Sequence, residues 1–340
     1  MLKKENTKIL KNDLPCGDIK GLSITFLKTF SQQEKAELIK KTQPLMQDYI
    51  AEKLDDIKTT PEELSLLKDA MIQFKGESIA RVTQGQTLFE PNITLLSRDF
   101  LNDTQVKWLT DFLKEWVDAK ITHQFGQLFA LKNHDEKGIM SGLLFQIFEN
   151  HGWVQRSEVS SIMNDLSLEE KGRLKKRGVY LGAFSIYLKS VLERSTQELM
   201  TILWNAFEIK HRFTLMDGGH TSFSLKNDKH ADYASFIGYM PLGKTAVRLD
   251  MLERLNSKLY DTAEKGIVEL KNEMVNMIGI DFARAHKLLG QMGFKAKSKE
   301  KRLYHLPSNA AKKKREETKS KQEINENSPF AALQKLKENS

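Results

Sequence analysis

The stretch Phe236-Ile-Gly-Tyr-Met-Pro-Leu-Gly-Lys-Thr-Ala-Val-Arg-Leu-Asp-Met-Leu-Glu-Arg-Leu255 supports two incompatible interpretations of this chain. Gly238, Gly243, Lys244 and Thr245 match the phosphate-loop pattern G-x-x-x-x-G-K-[ST] letter for letter. In such a loop, glycines let backbone N–H groups surround a phosphate, while the lysine and hydroxyl reach phosphate oxygens and Mg²⁺. The match predicts a nucleotide site only if a buried strand precedes the loop and a helix follows it.

The residues around this pattern favour the second interpretation, a glycine-containing turn that leads into a helix. Apolar residues from Ala246 to Leu255 have helical spacing, but polar residues interrupt the preceding segment 231–237. Pro241 also removes an N–H group that the phosphate cradle would use. A P-loop NTPase using 238–245 therefore stays an alternative, and we expect no bound cofactor.

Composition limits the class of protein. The chain has 340 residues, of which 40% are hydrophobic and 29% charged, as expected for a helical protein of two or three small domains. No run approaches the roughly 20 apolar residues of a membrane helix, and the N-terminus lacks the apolar core of a secretory signal. The single cysteine, Cys16, excludes an internal disulfide. We expect a cytoplasmic protein that does not enter the membrane.

The positive charge is concentrated at the C-terminal end. Residues 295–340 contain 13 Lys and Arg against 6 Glu, whereas residues 1–294 contain 40 basic and 39 acidic residues. A basic segment attracts nucleic-acid backbones, because its binding releases counterions. A solvated tail without a ligand is an equally good explanation of the charge alone.

Periodicity and helix-start signals predict a mostly α protein with small β-hairpin elements. Serine–glutamate pairs typical of capping boxes occur at Ser31–Glu34, Ser167–Glu170 and Ser195–Glu198. Strand-like residues on both sides of Gln84-Gly85 indicate a hairpin. The predicted regions are an α+β segment at 1–97, a helical domain at 98–265, a small module at 266–306 and a disordered basic tail at 307–340.

The segment 266–306 has the outline of a winged helix. Val268–Ile278 and Asp281–Met292 read as two helices, and two short strands are expected around Ser298-Lys299. In such modules the second helix or the ribbon can contact a phosphate backbone. The candidate nucleic-acid contacts in this module and the tail are Arg284, Lys287, Lys295, Lys297, Lys299, Lys301, Arg302, Lys312, Lys313, Lys314 and Arg315. A small helical domain with solvated lysines is the open alternative.

The end of the chain suggests a second kind of interaction. Phe330, Leu333 and Leu336 have helical spacing after the start signal Ser328-Pro329. An amphipathic peptide on a flexible tether suits docking into a groove of a partner. A protein-interaction scaffold that uses 328–337 is therefore an alternative function.

Catalytic and metal-binding patterns are weak. His211, His220 and His230, with Asp217 and Asp228, do not follow the spacing of a metal site. We assign no metal ligand and no catalytic residue, and activity of the chain on its own stays uncertain.

Several segments, taken in order, resemble the large helicase-related proteins of alphaproteobacteria, which are similar to the superfamily-two RNA helicase of the mitochondrial degradosome. The resemblance extends from about residue 90 to 305 and covers the region that follows the motor domains in that family. The segments that carry it are Gly142–Glu149 with Gly152 and Arg156, Leu174–Phe184, Leu203-Trp204, Gly238-Tyr239, Leu242-Gly243, Ala246–Leu255, Met274–Gly279, Leu288–Phe294 and Ser328–Leu333.

This chain also departs from that family. Lys244-Thr245 stands where the family usually has arginine or glycine, and the DExH box and arginine finger of the motor are missing. The resemblance therefore implies a non-motor accessory module that binds or guides nucleic acid, RNA more than DNA. Its partner would be an ATP-dependent helicase motor encoded separately.

Overall fold

The computed structural model describes residues 2–208, 210, 212–215 and 219–307. The described part of the protein is mixed α/β, with 47% helix and 23% strand. The strands of this described part form five small antiparallel sheets. The expectation of a mostly α, or all-alpha, protein is therefore wrong. In the same residues, no helix combines the length and apolar character that crossing a membrane requires.

The short length of the strands explains this error. Many have three or four residues, and one of them, Trp153–Gln155, has only three. A segment of that length is too short to show the apolar–polar alternation of a strand. Ser185–Leu188 shows no alternation either, because all four of its residues are buried.

The chain divides into two compact units. The N-terminal unit comprises Met1–Gly152, Gly172–Gly178 and Leu188–Met216. The C-terminal unit comprises Trp153–Lys171, Val179–Tyr187 and Asp217–Ser340. The linear boundaries predicted at residues 97, 265 and 306 are a different kind of division, and they stay predictions.

Two antiparallel meanders lie between residues 2 and 95 of the N-terminal unit. The first contains β1 (Leu2–Glu5), β2 (Lys8–Lys11), β3 (Leu14–Lys20) and β4 (Ser23–Phe26). The second contains β5 (Leu64–Leu66), β6 (Met71–Phe74), β7 (Glu77–Thr83) and β8 (Asn92–Leu95). Strand order follows chain order in both sheets, so neighbouring strands are joined as hairpins. The hairpin expected about Gln84-Gly85 is formed by β7 and β8.

Long helices separate and follow these meanders. They are α1 (Gln32–Thr59), α2 (Asp103–Gln124) and the short α3 (Gly126–Phe129), with a 3₁₀ turn at Pro61–Glu63. The capping box predicted at Ser31 is confirmed, because Ser31 N donates to Glu34 Oε2 at 2.8 Å and Glu34 N donates to Ser31 Oγ at 3.3 Å. Asn102 and Gln105 form a second capping box that starts α2.

Residues 138–305 repeat one order of elements three times in their described part: a helix, a strand, one or two helices, and a two-stranded ribbon. The first stretch contains α4 (Gly138–Glu149), β9 (Trp153–Gln155), α5 (Ser160–Asp165), α6 (Leu168–Lys176), β10 (Val179–Leu181) and β11 (Ser185–Leu188). After a 3₁₀ turn at Lys189–Leu192, the second contains α7 (Arg194–Phe207), β12 (Ser222–Ser224), α8 (Asp228–Phe236), β13 (Tyr239–Leu242) and β14 (Thr245–Arg248). The third contains α9 (Leu249–Asp261), β15 (Ile267–Glu269), α10 (Asn272–Met277), α11 (Phe282–Gln291), β16 (Lys295–Ser298) and β17 (Leu303–His305).

The three small sheets of these stretches also share one strand order. It is β10-β11-β9 in the first, β12-β14-β13 in the second and β15-β17-β16 in the third, so the last strand of each stretch lies in the middle. This is the element order and sheet order of a winged helix. All elements of the third stretch belong to the C-terminal unit, whereas the first and second contribute elements to both units.

Candidate nucleic-acid interface

Helix α11 presents an apolar side to the C-terminal unit and a basic side to solvent. Asp281 caps its start, because its carboxylate accepts a hydrogen bond from Arg284 N at 2.8 Å. Leu288 and Leu289 are buried, whereas Arg284 and Lys287 are exposed on the other side. The helix therefore offers two cationic side chains that are one turn apart.

The β16–β17 ribbon is attached to α11 by aromatic contacts. Tyr304 Oη lies 3.0 Å from His286 Nδ1, within hydrogen-bond distance. The guanidinium of Arg302 lies 3.4 Å from the centre of the Phe282 ring and donates to Asn272 Oδ1 at 3.2 Å. These contacts fix the ribbon beside the helix, and they assign Arg302 a positioning role in addition to its charge.

The charges of this helix and ribbon are mostly not neutralised. Residues 266–306 contain eight Lys and Arg against four Asp and Glu. Arg284 pairs with Asp281 at 3.4 Å. Within the described residues, the exposed lysines of the module that make no ion pair include Lys287, Lys295, Lys297, Lys299 and Lys301. The module thus carries a set of free ammonium groups on one helix and one ribbon.

Four of these five lysines belong to the edge strand β16 and to the turn after it. The order β15-β17-β16 leaves β16 paired on one side only, and a bulge lies between Ala296 and Ser298. Lysines at a sheet edge also oppose pairing with a further strand. A purely protective role is therefore the simplest competing explanation for these lysines.

The phosphate-loop pattern does not fold as a phosphate loop. Gly238 follows the end of α8 with φ +81°, and Gly243 occupies the turn of the β13–β14 hairpin with φ +60°. Pro241 pairs with Ala246, and Leu242 pairs with Thr245, in an antiparallel ladder. Because a strand rather than a helix follows Lys244, the cradle of N–H groups is not formed, and this fold does not support the alternative of a P-loop NTPase at 238–245.

Other predicted site residues are not brought together or are not described. The predicted tail contacts Lys312, Lys313, Lys314 and Arg315, and the docking residues Phe330, Leu333 and Leu336, lie outside the described residues. In the described part, no three His, Cys, Asp or Glu side chains approach closely enough to hold a metal ion. Instead, His230 packs against Phe223, with 5.2 Å between ring centres.

A buried carboxylate that the sequence did not reveal organises the β10–β11 turn. Glu253 on α9 is 4% exposed. It accepts hydrogen bonds from the backbone N–H groups of Ala183 (2.7 Å), Phe184 (2.9 Å) and Ser185 (2.9 Å), and from Ser185 Oγ (3.0 Å). A Cβ at Gly182 would lie 2.3 Å from Glu253 Oε1, so the turn requires glycine there. The sequence signal that could have indicated this contact was the single glutamate, Glu253, on the apolar side of α9.

The N-terminal unit contains a separate cleft of about 640 Å³ with aromatic walls. Phe89 lies 5.6 Å from Phe129 and 5.9 Å from His151 between ring centres. Burial lowers the pKa of His151, and the nearby Glu149 partly opposes this effect. Sequence patterns did not indicate this cleft, because its walls come from segments far apart in the chain.

Comparison with known proteins identifies no family for this chain. No family model, no curated protein and no solved structure matches the chain. The resemblance to helicase-related proteins therefore stays a prediction.

Proposed function

We propose that the protein binds nucleic acid through α11 and the β16–β17 ribbon, and that its ligand is a B-form DNA duplex. The observation that carries this proposal is the set of free lysines of one helix and its attached ribbon: Lys287, Lys295, Lys297, Lys299 and Lys301. Free ammonium groups bind phosphates with release of counterions, whereas lysines already paired with carboxylates gain little.

The choice of a duplex follows from the shape of these elements. An α-helix with its side chains is about 10–12 Å across, and the major groove of B-DNA is about 12 Å wide. The deep, narrow major groove of A-form RNA does not admit a helix. The resemblance to helicase-related proteins favours RNA, but a helix with an attached ribbon favours DNA. An accessory role beside a separate motor rests on the resemblance alone.

Salt-dependent binding of the full chain tests this proposal. Five phosphate contacts predict a slope of about −4.5 for log K against log [salt] on duplex DNA, since each contact contributes about −0.9. Binding of a 20-bp DNA duplex, of the RNA duplex of the same sequence and of single-stranded RNA is compared by fluorescence anisotropy. We expect the DNA duplex to bind most tightly.

Two variants connect binding to this surface. Lys287→Ala removes a free lysine on α11, and the slope is expected to become flatter by about 0.9. Lys41→Ala is the control, because Lys41 is exposed but pairs with Glu37 at 3.7 Å. Absence of binding at low salt, or equal slopes for Lys287→Ala and wild type, contradicts the proposal. Tighter binding of single-stranded RNA would assign the surface to another ligand.

A further inference from the structure

The β13–β14 hairpin of the second stretch contacts the end of α11 in the third. Gln291 is the last residue of α11. In the amide orientation that satisfies both neighbouring groups, its side chain donates to Leu242 O at 3.2 Å and accepts from Gly243 N at 3.0 Å. Both backbone groups belong to the turn between β13 and β14, so this turn lies at the C-terminal end of the helix.

Gln291 is also in line with the cations of the helix. Arg284, Lys287 and Gln291 are all exposed, and their spacing of three and four residues places them on one face. With a rise of about 1.5 Å per residue, Gln291 lies about 10 Å along the axis from Arg284. The basic row on α11 therefore leads directly to the β13–β14 turn.

Lys244 lies in that turn, where its backbone is held by hydrogen bonds and its side chain is exposed. Its backbone is held, because Lys244 O accepts from Leu225 N at 2.9 Å and its neighbours Leu242 and Thr245 pair across the hairpin. Its side chain is exposed and makes no ion pair with any residue of the described part. The ammonium group of Lys244 therefore extends from a fixed backbone position next to the C-terminal end of α11.

We propose that Lys244 is a phosphate contact of the same nucleic-acid surface, so that the β13–β14 hairpin acts as a second ribbon beside α11. This inference rests on the proposed function. It gives Lys244 a ligand that fits its observed position, namely a backbone phosphate of the nucleic acid that lies beyond the C-terminal end of α11. The surface then combines elements of two stretches with the same element order.

The test uses the full chain and the same 20-bp DNA duplex in a salt series. With Lys244 as a sixth contact the wild-type slope becomes about −5.4, and Lys244→Ala is expected to return it to about −4.5, so that the loss of affinity relative to wild type shrinks about threefold between 50 and 200 mM salt. Lys244→Arg keeps the charge and is expected to keep the slope. Lys41→Ala again serves as the control. Circular dichroism melting shows whether each variant is folded.

The outcomes separate this inference from the proposed function. If wild type does not bind, the proposed function fails and the inference fails with it. If Lys287→Ala flattens the slope while Lys244→Ala coincides with wild type, only the inference is overturned. Equal losses in Lys244→Ala and Lys244→Arg would show that the residue acts through the fold of the hairpin, which also overturns it.

Discussion

Replacing Glu253 by glutamine tests how the C-terminal unit holds its first ribbon. The carboxylate is 4% exposed and receives four hydrogen bonds, three of them on Oε1. Its other oxygen, Oε2, accepts from Ala183 N at 2.7 Å. In Glu253→Gln the amide oxygen can replace Oε1, but the amide NH₂ then faces the N–H of Ala183. One bond is lost, and three become bonds between neutral groups.

The expected loss of stability follows from these bonds. A hydrogen bond to a charged group contributes about 1.5–3 kcal/mol, and one between neutral groups about 0.5–1.5 kcal/mol. One lost bond and three weakened bonds sum to roughly 5 kcal/mol. Removal of a buried charge relieves part of its desolvation penalty, which offsets about 2 kcal/mol of that sum. We therefore expect Glu253→Gln to destabilise the unit by about 3 kcal/mol.

Hydrogen exchange followed by mass spectrometry measures this loss of stability in the β10–β11 ribbon itself. Peptides that cover residues 179–187 should exchange faster in Glu253→Gln, and urea unfolding of the variant should begin at lower concentration. Glu269→Gln is the control, because Glu269 is an exposed glutamate of the same unit. Exchange and unfolding that match wild type within about 0.5 kcal/mol would refute the assignment of the carboxylate as the clamp of this turn.

Two further predictions concern other contacts. Arg302→Ala removes the stacking on Phe282 and the bond to Asn272, and is expected to destabilise the module by about 1–2 kcal/mol in urea unfolding; unchanged stability would contradict the positioning role. Burial lowers the pKa of His151 below its ordinary value of 6.5, so the unfolded state binds more protons and stability falls as pH drops below about 6.5. His151→Asn, which tolerates the observed φ of +58°, should lose this part of the pH dependence; an unchanged pH profile would contradict the assignment.

Helix starts were predictable where the signal is local. The capping box at Ser167 is confirmed, since Ser167 N donates to Glu170 Oε2 at 2.8 Å and Glu170 N donates to Ser167 Oγ at 3.2 Å. The box predicted at Ser195 is wrong. Helix α7 begins at Arg194, and Glu198 pairs with Arg194 at 2.9 Å. The pattern S-x-x-E thus caps a helix only when its serine precedes the first turn, as Ser31 and Ser167 do, and not when it lies inside the helix, as Ser195 does.

The residues around the phosphate-loop pattern had already favoured a coincidental match, and the coincidence has a physical reason. The glycines of the pattern mark positions where the backbone adopts positive φ, which a phosphate loop and a tight hairpin turn both require. Gly238 and Gly243 both have positive φ in this protein. The residues that distinguish the two structures lie outside the pattern, because the partner strand of Thr245–Arg248 and the contact with Gln291 come from pairing in three dimensions.

The repeated order of elements was also hidden from the sequence, since each stretch buries a different set of side chains in the same layout. The three ribbons differ in what holds their turns. Glu253 binds the turn of the first, Gln291 binds the turn of the second, and the third is held by its own Arg302 against Phe282.

A turn wrapped around a buried carboxylate has its N–H groups occupied, so it offers few free donors to a phosphate. The third ribbon carries its lysines on an open edge, and the second exposes Lys244 beside its contact with Gln291. In the described residues, the free lysines of the second and third ribbons therefore accompany turns whose N–H groups are not occupied by a buried carboxylate of α9.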